Sequence, residues 1–243
     1  MTSFLFHKKR HKRKNLNPVQ AYNIIRTLSK LGICSRKQAV SLVQSGRLQV
    51  NGQVIRDPGR KVKKTDQILL DGKPLQKKKK IYLMLYKPAG YITTREDEKN
   101  RKTVYDLLDC ENWIFPVGRL DQDSEGLLLF TNDTAFSEEM TNPHHQVPRT
   151  YQVELQESIS HEELEKIRQG IDIGRGERAC PKKIRILRQT SPNTFLEIIL
   201  REGKNREVRR IFEALGKKVY RLIRTQFGPF HLGSLQPGQW RYI

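Results

Sequence analysis

The segment from Phe115 to Asp133 is the part of this sequence that most constrains its fold. It contains an apolar run, Leu127 to Phe130, that follows a turn signal at Gly126. A short apolar run bounded by turn signals predicts a buried strand, which would hold the preceding loop at the rim of a sheet. That loop carries three charged side chains, those of Arg119, Asp121 and Asp123.

Asp121 is the candidate for chemistry in this loop. The chain has 46 lysines and arginines against 26 aspartates and glutamates, a net charge of +20. In so basic a chain, a carboxylate beside an arginine suits chemistry on a polyanion. The alternative is an acidic surface turn closed by an ion pair within the loop, because many ion pairs are only structural. The loop residues alone leave both interpretations open.

The same charge balance favours a phosphate polyanion as the partner over a membrane surface, since no long apolar segment or basic amphipathic helix stands out. The apolar piece near the N-terminus is too short for a signal peptide. Cys34, Cys110 and Cys180 have neither disulfide nor metal spacing, and no nucleotide-binding glycine motif is complete. We therefore expect a cytoplasmic protein in a reducing environment, without a metal or cofactor and without membrane association.

Composition divides the chain into four parts. Residues 1–17 form a basic tail, expected to be disordered until it meets nucleic acid. Residues 18–76 show two short helical patterns followed by an Asn51-Gly52 hairpin signal, which predicts a small α/β module. Four lysines at 77–80 resemble a linker, and residues 81–243 form the main domain. The cations around the second helix, Arg36, Lys37 and Arg47, are candidates for phosphate contacts, the alternative being a solvated polar face.

In the main domain, strand patterns outnumber helix patterns and several neighbouring strands look antiparallel. This favours an α+β fold with a mixed, largely antiparallel sheet. Strands are expected at 81–86, 127–130, 151–155, 195–200 and 219–222, and helices at 160–170 and 206–215.

The last of these helices carries Arg206, Arg209 and Arg210 beside an apolar face. A guanidinium stays charged and binds a carboxylate or phosphate through two bonds, so one of the three is a candidate partner for Asp121. The alternative is that all three lie on a solvated face. Tyr151, at the start of a strand, offers a flat ring for stacking on a nucleobase, or is an ordinary strand tyrosine.

These segments together resemble one known family. Residues 115–133, with the sequence FPVGRLDQDSEGLLLFTND, closely resemble the signature of the bacterial ribosomal small-subunit type of pseudouridine synthase. Further blocks at 86–90, 149–151, 202–210, 222–228 and 235–240 are similar to that family in the same order. Residues 22 to about 76 are similar to the alpha-L RNA-binding module that commonly precedes this catalytic domain.

The resemblance implies a role for each candidate residue. Asp121 would be the catalytic carboxylate, Arg209 the basic residue that pairs with it, and Tyr151 the ring that stacks on uracil and handles its C5 proton. Arg119 would fill the gap left by a flipped nucleotide, and Leu222 would pack beneath the base, unless it is an ordinary core leucine. The remaining family-block cations, expected to contact RNA, are Lys87, Arg206 and Arg210.

The implied activity is the isomerisation of uridine to pseudouridine in ribosomal RNA, with large-subunit RNA favoured and no cofactor required. We expect a monomer whose partner is ribosomal RNA or a pre-ribosomal particle. Two alternatives belong to other classes: an inactive RNA-binding ribosome assembly factor, and a general basic architectural or DNA-binding protein.

Overall fold

The computed structural model describes residues 21–243, so the predicted basic tail lies outside the described residues. The described chain forms two compact units. One contains residues 21–28 and 36–75, and the other contains residues 29–35 and 76–243. None of the helices within residues 21–243 has the length and apolarity needed to cross a membrane.

The smaller unit is built from two helices and two small antiparallel sheets. The elements in chain order are β1 Tyr22–Asn23, α1 Ile24–Lys30, α2 Arg36–Gln44, β2 Leu48–Val50, β3 Gln53–Ile55, β4 Lys61–Val62, β5 Ile68–Leu70 and β6 Lys73–Pro74. The strand orders of the two sheets are β1-β4 and β3-β2-β5-β6. Asn51 and Gly52 join β2 to β3 with φ angles of 51° and 81°, which confirms the predicted hairpin. The fully buried side chains of the smaller unit are those of Ile24, Leu28, Ala39, Val43 and Leu48.

The larger unit contains the remaining strands and helices. Its strands are β7 Tyr82–Lys87, β8 Phe115–Val117, β9 Glu125–Thr131, β10 Arg149–Leu155, β11 Ile171–Asp172, β12 Arg178–Ala179, β13 Lys183–Gln189, β14 Thr194–Leu200, β15 Val219–Phe227, β16 Phe230–His231 and β17 Trp240–Tyr242. Its α-helices are α3 Thr134–Thr141, α4 His161–Gln169 and α5 Glu207–Glu213. Two 3-10 helices cover Val104–Leu107 and Pro143–His145.

Nine of the described strands form one sheet with the order β13-β14-β10-β15-β9-β7-β17, in which β8 also pairs with β9 and β16 with β15. Every pairing is antiparallel except that of β15 with β9, which is parallel. The predicted α+β class with a mixed, largely antiparallel sheet is therefore confirmed. Strand β13 and helix α3 were not predicted, because neither segment has a clean apolar period.

Strand β9 is buried on both faces, as its apolar run predicts. Leu127 and Leu129 pack in a cluster with Met140 of α3, whereas Leu128 and Phe130 pack in a second cluster. All four strand residues have no exposed surface. Helices α4 and α5 pack against the sheet in a third cluster, which includes strands β10, β14 and β15. The loop that precedes β9 is thus anchored to the most deeply buried strand of the sheet.

Candidate active site

The loop between β8 and β9, residues 118–124, is held by hydrogen bonds from the chain that follows β7. The Thr93 hydroxyl donates to the Leu120 carbonyl at 2.7 Å and accepts from the Leu120 amide at 3.3 Å. The Gly90 amide donates to the Gln122 carbonyl at 2.8 Å, and the Gln122 side chain donates back to the Gly90 carbonyl at 3.3 Å. These paired bonds fix the backbone on both sides of Asp121.

Lys87, the last residue of β7, lies under this loop with no exposed surface. Its Nζ donates to the carbonyl oxygens of Ser124 at 2.6 Å, Pro88 at 3.0 Å and Gln122 at 3.3 Å. Burial lowers the pKa of the Lys87 ammonium from 10.5 to about 8, although the nearby carboxylates oppose this shift. The predicted RNA contact of Lys87 is therefore corrected, because its donors are used inside the protein to hold the loop.

Two carboxylates and two guanidinium groups meet above the loop. Arg206 Nη1 lies 3.6 Å from Oδ2 of Asp121 and 3.6 Å from Oδ2 of Asp123. Arg209 Nη2 lies 3.1 Å from Oδ2 of Asp123. The Asp121 side chain keeps 36% of its surface exposed, whereas that of Arg209 keeps only 7%. Asp121 therefore lies at the exposed side of this cluster of four charged groups, and Arg209 lies at its buried side.

The pairing implied by the resemblance is different in the structure, because Arg209 forms its ion pair with Asp123 and not with Asp121. Arg209 Nη1 donates to the Val219 carbonyl at 3.1 Å, and Nη2 donates to the Asp123 carbonyl at 3.0 Å. These bonds direct the guanidinium toward the base of the loop. Burial lowers the pKa of Arg209, while Asp123 and then Asp121 act in the opposite direction. Arg209 stays charged and acts on Asp121 through space.

Arg206, which lies near Asp121, has an unusual backbone conformation. It is the residue before α5 and has φ 50° and ψ 31°, in the left-handed region that side-chain-bearing residues seldom adopt. Such a conformation costs on the order of 1–3 kcal/mol and persists only where the surroundings enforce it. Here the following helix is anchored by buried Val208, Ile211 and Phe212.

Tyr151 joins the site through the register of the sheet. Tyr151 of β10 pairs with Arg224 of β15, Arg224 pairs with Gly126 of β9, and Gly126 pairs with Lys87 of β7. These four residues form a row across adjacent strands, which we call the active row. Neighbouring strands are about 4.8 Å apart, so the backbone of Tyr151 is about 10 Å from the end of the Asp121 loop. Leu222, two residues before Arg224, is buried and packs in the same cluster as Tyr151.

A cleft of about 480 Å³ opens beside the loop. Its lining includes Arg119, Asp121 and Gln122 from this loop, together with most of residues 92–101. Arg119 is exposed. The cleft can therefore receive a group that reaches the Asp121 carboxylate from solvent, with the Arg119 side chain free to contact what lies next to it.

Comparison with known proteins agrees with this geometry. Residues 81–214 match the family model described as RNA pseudouridylate synthase, and residues 24–68 match the S4 domain model. The first match covers more than half of the chain. The chain belongs to the RNA pseudouridine synthase family. Its activity is the isomerisation of uridine in RNA, and its smaller unit is the RNA-binding S4 module that the resemblance predicted.

Two curated relatives extend along almost the whole synthase. An uncharacterized RNA pseudouridine synthase of Aquifex aeolicus is 40% identical over 219 residues, which cover 89% of this chain and 88% of the relative. The ribosomal large subunit pseudouridine synthase B of Bacillus subtilis is 35% identical over 220 residues, 90% of each chain. A crystal structure of a pseudouridylate synthase matches with a TM-score of 0.63 and 27% identity, over 90% of this chain and 95% of that one.

Arg210 of the synthase contacts the 173–177 loop. Its Nε donates to the Ile173 carbonyl at 2.9 Å and its Nη2 to the Gly174 carbonyl at 2.7 Å. Its Nη1 pairs with Glu177 at 2.5 Å and donates to the Asn205 carbonyl at 3.2 Å. All three nitrogens are thus engaged within the protein, so the predicted RNA contact of Arg210 is replaced by a structural role that ties the 173–177 loop to α5.

The S4 cations are at the surface of their unit. Arg36 and Lys37 are exposed in the first turn of α2, as a phosphate contact requires. Arg47 is also exposed, but its guanidinium forms a two-bond ion pair with Asp71, with Nε 2.8 Å from Oδ1. The structure therefore gives Arg47 a carboxylate partner that the sequence pattern did not indicate.

Three residues of the site were missed by sequence reasoning: Thr93, Arg224 and Glu207. Thr93 holds the loop, and Arg224 lies in the active row. Glu207 is buried at the start of α5, where burial and the neighbouring Glu202 carboxylate raise its pKa to about 7. The one available signal was the position of Arg224 two residues after Leu222, on the same side of a strand.

No group of three or more histidine, cysteine, aspartate or glutamate side chains within residues 21–243 is arranged to hold a metal ion. The titratable groups at the site are instead carboxylates, guanidinium groups, one lysine and Tyr151. Such a set can move a proton or add a carboxylate to carbon.

Proposed function

We propose that this synthase isomerises one or more uridines of ribosomal RNA, with large-subunit RNA preferred, and that Asp121 is its catalytic carboxylate. The observation that carries the proposal is the position of Asp121 on a fixed loop beside Arg206, 3.6 Å away, at the rim of a cleft. The choice of large-subunit RNA is supported by the Bacillus subtilis relative, whose name specifies the ribosomal large subunit.

Asp121 acts by one of two routes. In the adduct route its carboxylate adds to C1′ of the ribose, and the bonding pair between C1′ and N1 leaves with the uracil. In the glycal route it removes the 2′ proton, the C2′–H pair forms a double bond to C1′, and N1 leaves with its bonding pair. Both routes need a charged carboxylate, and the Arg206 guanidinium lies 3.6 Å from that of Asp121.

The freed uracil then rotates and bonds to C1′ through C5. In the adduct route this displaces the Asp121 carboxylate with its bonding pair, and in the glycal route the C1′–C2′ double bond opens as Asp121 returns its proton to C2′. Tyr151 stacks on the ring and accepts the C5 proton, while Leu222 packs beneath the base. Arg119 occupies the space that the flipped uridine leaves in the RNA. Flipping costs a few kcal/mol, and the cost is lowest in a loop or mismatch, so a structured RNA with an accessible uridine fits this site.

RNA affinity is shared with the S4 module, through phosphate contacts of Arg36 and Lys37 that weaken as salt rises. Arg47 contributes only after releasing Asp71. In this proposal the synthase acts as a cytoplasmic monomer on ribosomal RNA or on a pre-ribosomal particle.

Release of tritium from RNA labelled at uracil C5 tests the catalytic assignment. Wild-type protein should release tritium, and Asp121→Asn should release none while it binds the same RNA with unchanged affinity. Asp109→Asn changes an exposed aspartate of the same unit and is the matched control. Activity retained by Asp121→Asn would overturn the assignment.

Separate transcripts of large-subunit and small-subunit RNA, and particles containing each, test the substrate. Pseudouridine formation on large-subunit RNA alone is the expected result. Formation on small-subunit RNA alone would refute the preference. If the wild-type protein formed no pseudouridine on any RNA or particle, the result would favour an inactive assembly factor.

A further inference from the structure

Arg224 is, like Lys87, a buried cation of the active row. Only 3% of its surface is exposed. Its Nε donates to the Leu127 carbonyl at 2.8 Å, and its guanidinium carbon lies 4.9 Å from the centre of the Phe227 ring. Its Nη2 has no hydrogen-bond partner among the described residues. A buried guanidinium with an unused donor is costly, so a role beyond packing is needed to explain it.

The charge of Arg224 is not balanced by a carboxylate. None of the ion pairs found within residues 21–243 includes Arg224. The side chain paired with it across the two strands is that of Tyr151, and the Cβ atoms of such a cross-strand pair lie about 4.5–5.5 Å apart. Burial lowers the pKa of Arg224 and Tyr151 opposes that shift, but an arginine keeps its charge even in such a site.

Arg149 provides a contrast on the same ring. Its guanidinium carbon also lies over Phe227, at 4.8 Å, and the residue is buried. Its Nη1 and Nη2, however, donate to the carbonyl oxygens of Val147 and Met140 at 2.8 and 3.1 Å. The Nη donors of Arg149 therefore bind backbone carbonyls, whereas the Nη2 of Arg224 has no partner among the described residues.

We propose that Arg224 is a positioning residue that acts through Tyr151: it orients the phenol and stabilises the negative charge on its oxygen after the hydroxyl proton has left and before the oxygen takes the C5 proton of the rejoined base. This inference rests on the proposed function. It assigns to a buried arginine the electrostatic support that such a proton transfer needs.

The step balances as follows. After C5 has bonded to C1′, C5 still carries its hydrogen, and a double bond joins N1 to C6. The Tyr151 hydroxyl first passes its proton to water, and the phenolate oxygen then takes the C5 proton. The C5–H electron pair becomes the C5–C6 double bond, the N1–C6 pair moves to N1, and N1 takes a proton from water. Arg224 gives up no proton in this step.

Single-turnover rates on RNA with hydrogen or deuterium at uracil C5 test the proposal. Arg224→Gln should lower the rate by about 10²-fold and make it sensitive to deuterium, because C5 deprotonation becomes the slow step. On RNA with 5-fluorouridine, which has no C5 proton, cleavage and rejoining should keep the wild-type rate. Arg188→Gln removes an exposed arginine stacked 4.4 Å from Phe195 in the same sheet, and serves as the control.

Equal slowing of Arg224→Gln on both RNAs, without a deuterium effect, would overturn the proposal, and so would a wild-type rate. If the glutamine variant does not fold, Arg224→Lys decides, since it keeps the charge. A folded lysine variant with normal cleavage of 5-fluorouridine RNA supports the proposal, and one impaired equally on both RNAs overturns it. Wild-type silence on unmodified RNA would instead refute the proposed function itself.

Discussion

In the S4 module, Arg36 and Lys37 are exposed at the start of α2, whereas in the catalytic unit Lys87 and Arg209 lie below the surface and donate to backbone carbonyls. Exposed cations attract a polyanion over a Debye length, and salt screens that attraction. Buried cations hold one geometry, because each of their donors needs a partner. The net charge of +20 therefore combines two functions that composition alone does not separate.

Gly126→Ala should have the largest effect, since it breaks the centre of the active row. Gly126 has φ +103°, and an added Cβ would lie 2.3 Å from the Arg224 carbonyl oxygen. Because the obstacle is backbone, the parallel strands must separate, and we expect a loss of about 4 kcal/mol or more in the free energy of unfolding. Denaturant unfolding measures this loss.

The control for that change is Gly52→Ala in the S4 hairpin. Gly52 has φ +81°, but no atom lies within 4 Å of its added Cβ. Only the backbone strain remains, which costs about 1–2 kcal/mol. Equal losses at the two glycines would mean that the close approach of the strands contributes nothing.

Lys87→Met should have the next largest effect, because it removes the charged donor shared by three loop carbonyls. We expect a loss of about 3 kcal/mol in stability and a lower kcat, with RNA affinity retained. The folded pKa of about 8 lies below the ordinary 10.5. The unfolded chain therefore binds the extra proton between these values, and wild-type stability should rise relative to the variant from pH 8 to pH 10.5.

Unfolding curves at several pH values measure both parts of this expectation. The matched change in the S4 module is Lys73→Met, at an exposed lysine of β6. It should leave stability and its pH dependence unchanged. An equal stability loss at both lysines would contradict the distinction between buried and exposed cations.

Glu207→Gln should stabilise the synthase above neutral pH. The folded pKa of about 7 exceeds the ordinary 4.5, because burial and Glu202 disfavour the charged form. The folded state thus binds the extra proton between pH 4.5 and 7, and stability falls as pH rises through that window. The neutral amide avoids this loss, so at pH 8 we expect a gain on the order of 2 kcal/mol, and at pH 4.5 none.

Thermal unfolding at the two pH values checks this gain. Glu213→Gln alters an exposed glutamate at the end of the same helix and should leave the pH dependence unchanged. If Glu207→Gln were no more stable than wild type at pH 8, the charged Glu207 carboxylate would not destabilise the folded state.

Arg36→Gln should have the smallest effect, on RNA binding alone. Loss of one phosphate contact weakens binding by about 1 kcal/mol and lowers the slope of log affinity against log salt by about 1, with kcat unchanged. Salt titrations of RNA binding measure both. Arg185→Gln, at an exposed arginine of β13 paired with Glu197, is the comparison. An equal loss at Arg185 would remove any special role of the S4 module.

Much of this architecture follows from local pattern. The apolar period predicted β9, the Asn51-Gly52 signal predicted the hairpin, and the balance of strands and helices predicted the sheet class. The position of Asp121 at a sheet rim followed from the buried strand after it. Each of these properties depends on residues close together in sequence.

The sequence did not predict the hydrogen-bond and ion-pair partners of the cations, because these partners lie in distant segments of the chain. Helical spacing places Arg209 and Arg210 on the flanks of α5, but Asp123 and the 173–177 loop, far away in sequence, decide where each guanidinium points. Lys87 was assigned to RNA for the same reason. Its acceptors in the Asp121 loop come near only when β7 pairs with β9.

Strand β15 lies between β10 and β9 in the sheet, yet both of these neighbours precede it in the chain. A nascent chain that has not yet reached Val219 can form two half-sheets, each with an open edge where β15 belongs. Such edges invite pairing with other chains, and the joining strand closes contacts of long sequence separation. Arrival of β15 therefore joins the two half-sheets and closes both of these open edges in the same event during synthesis.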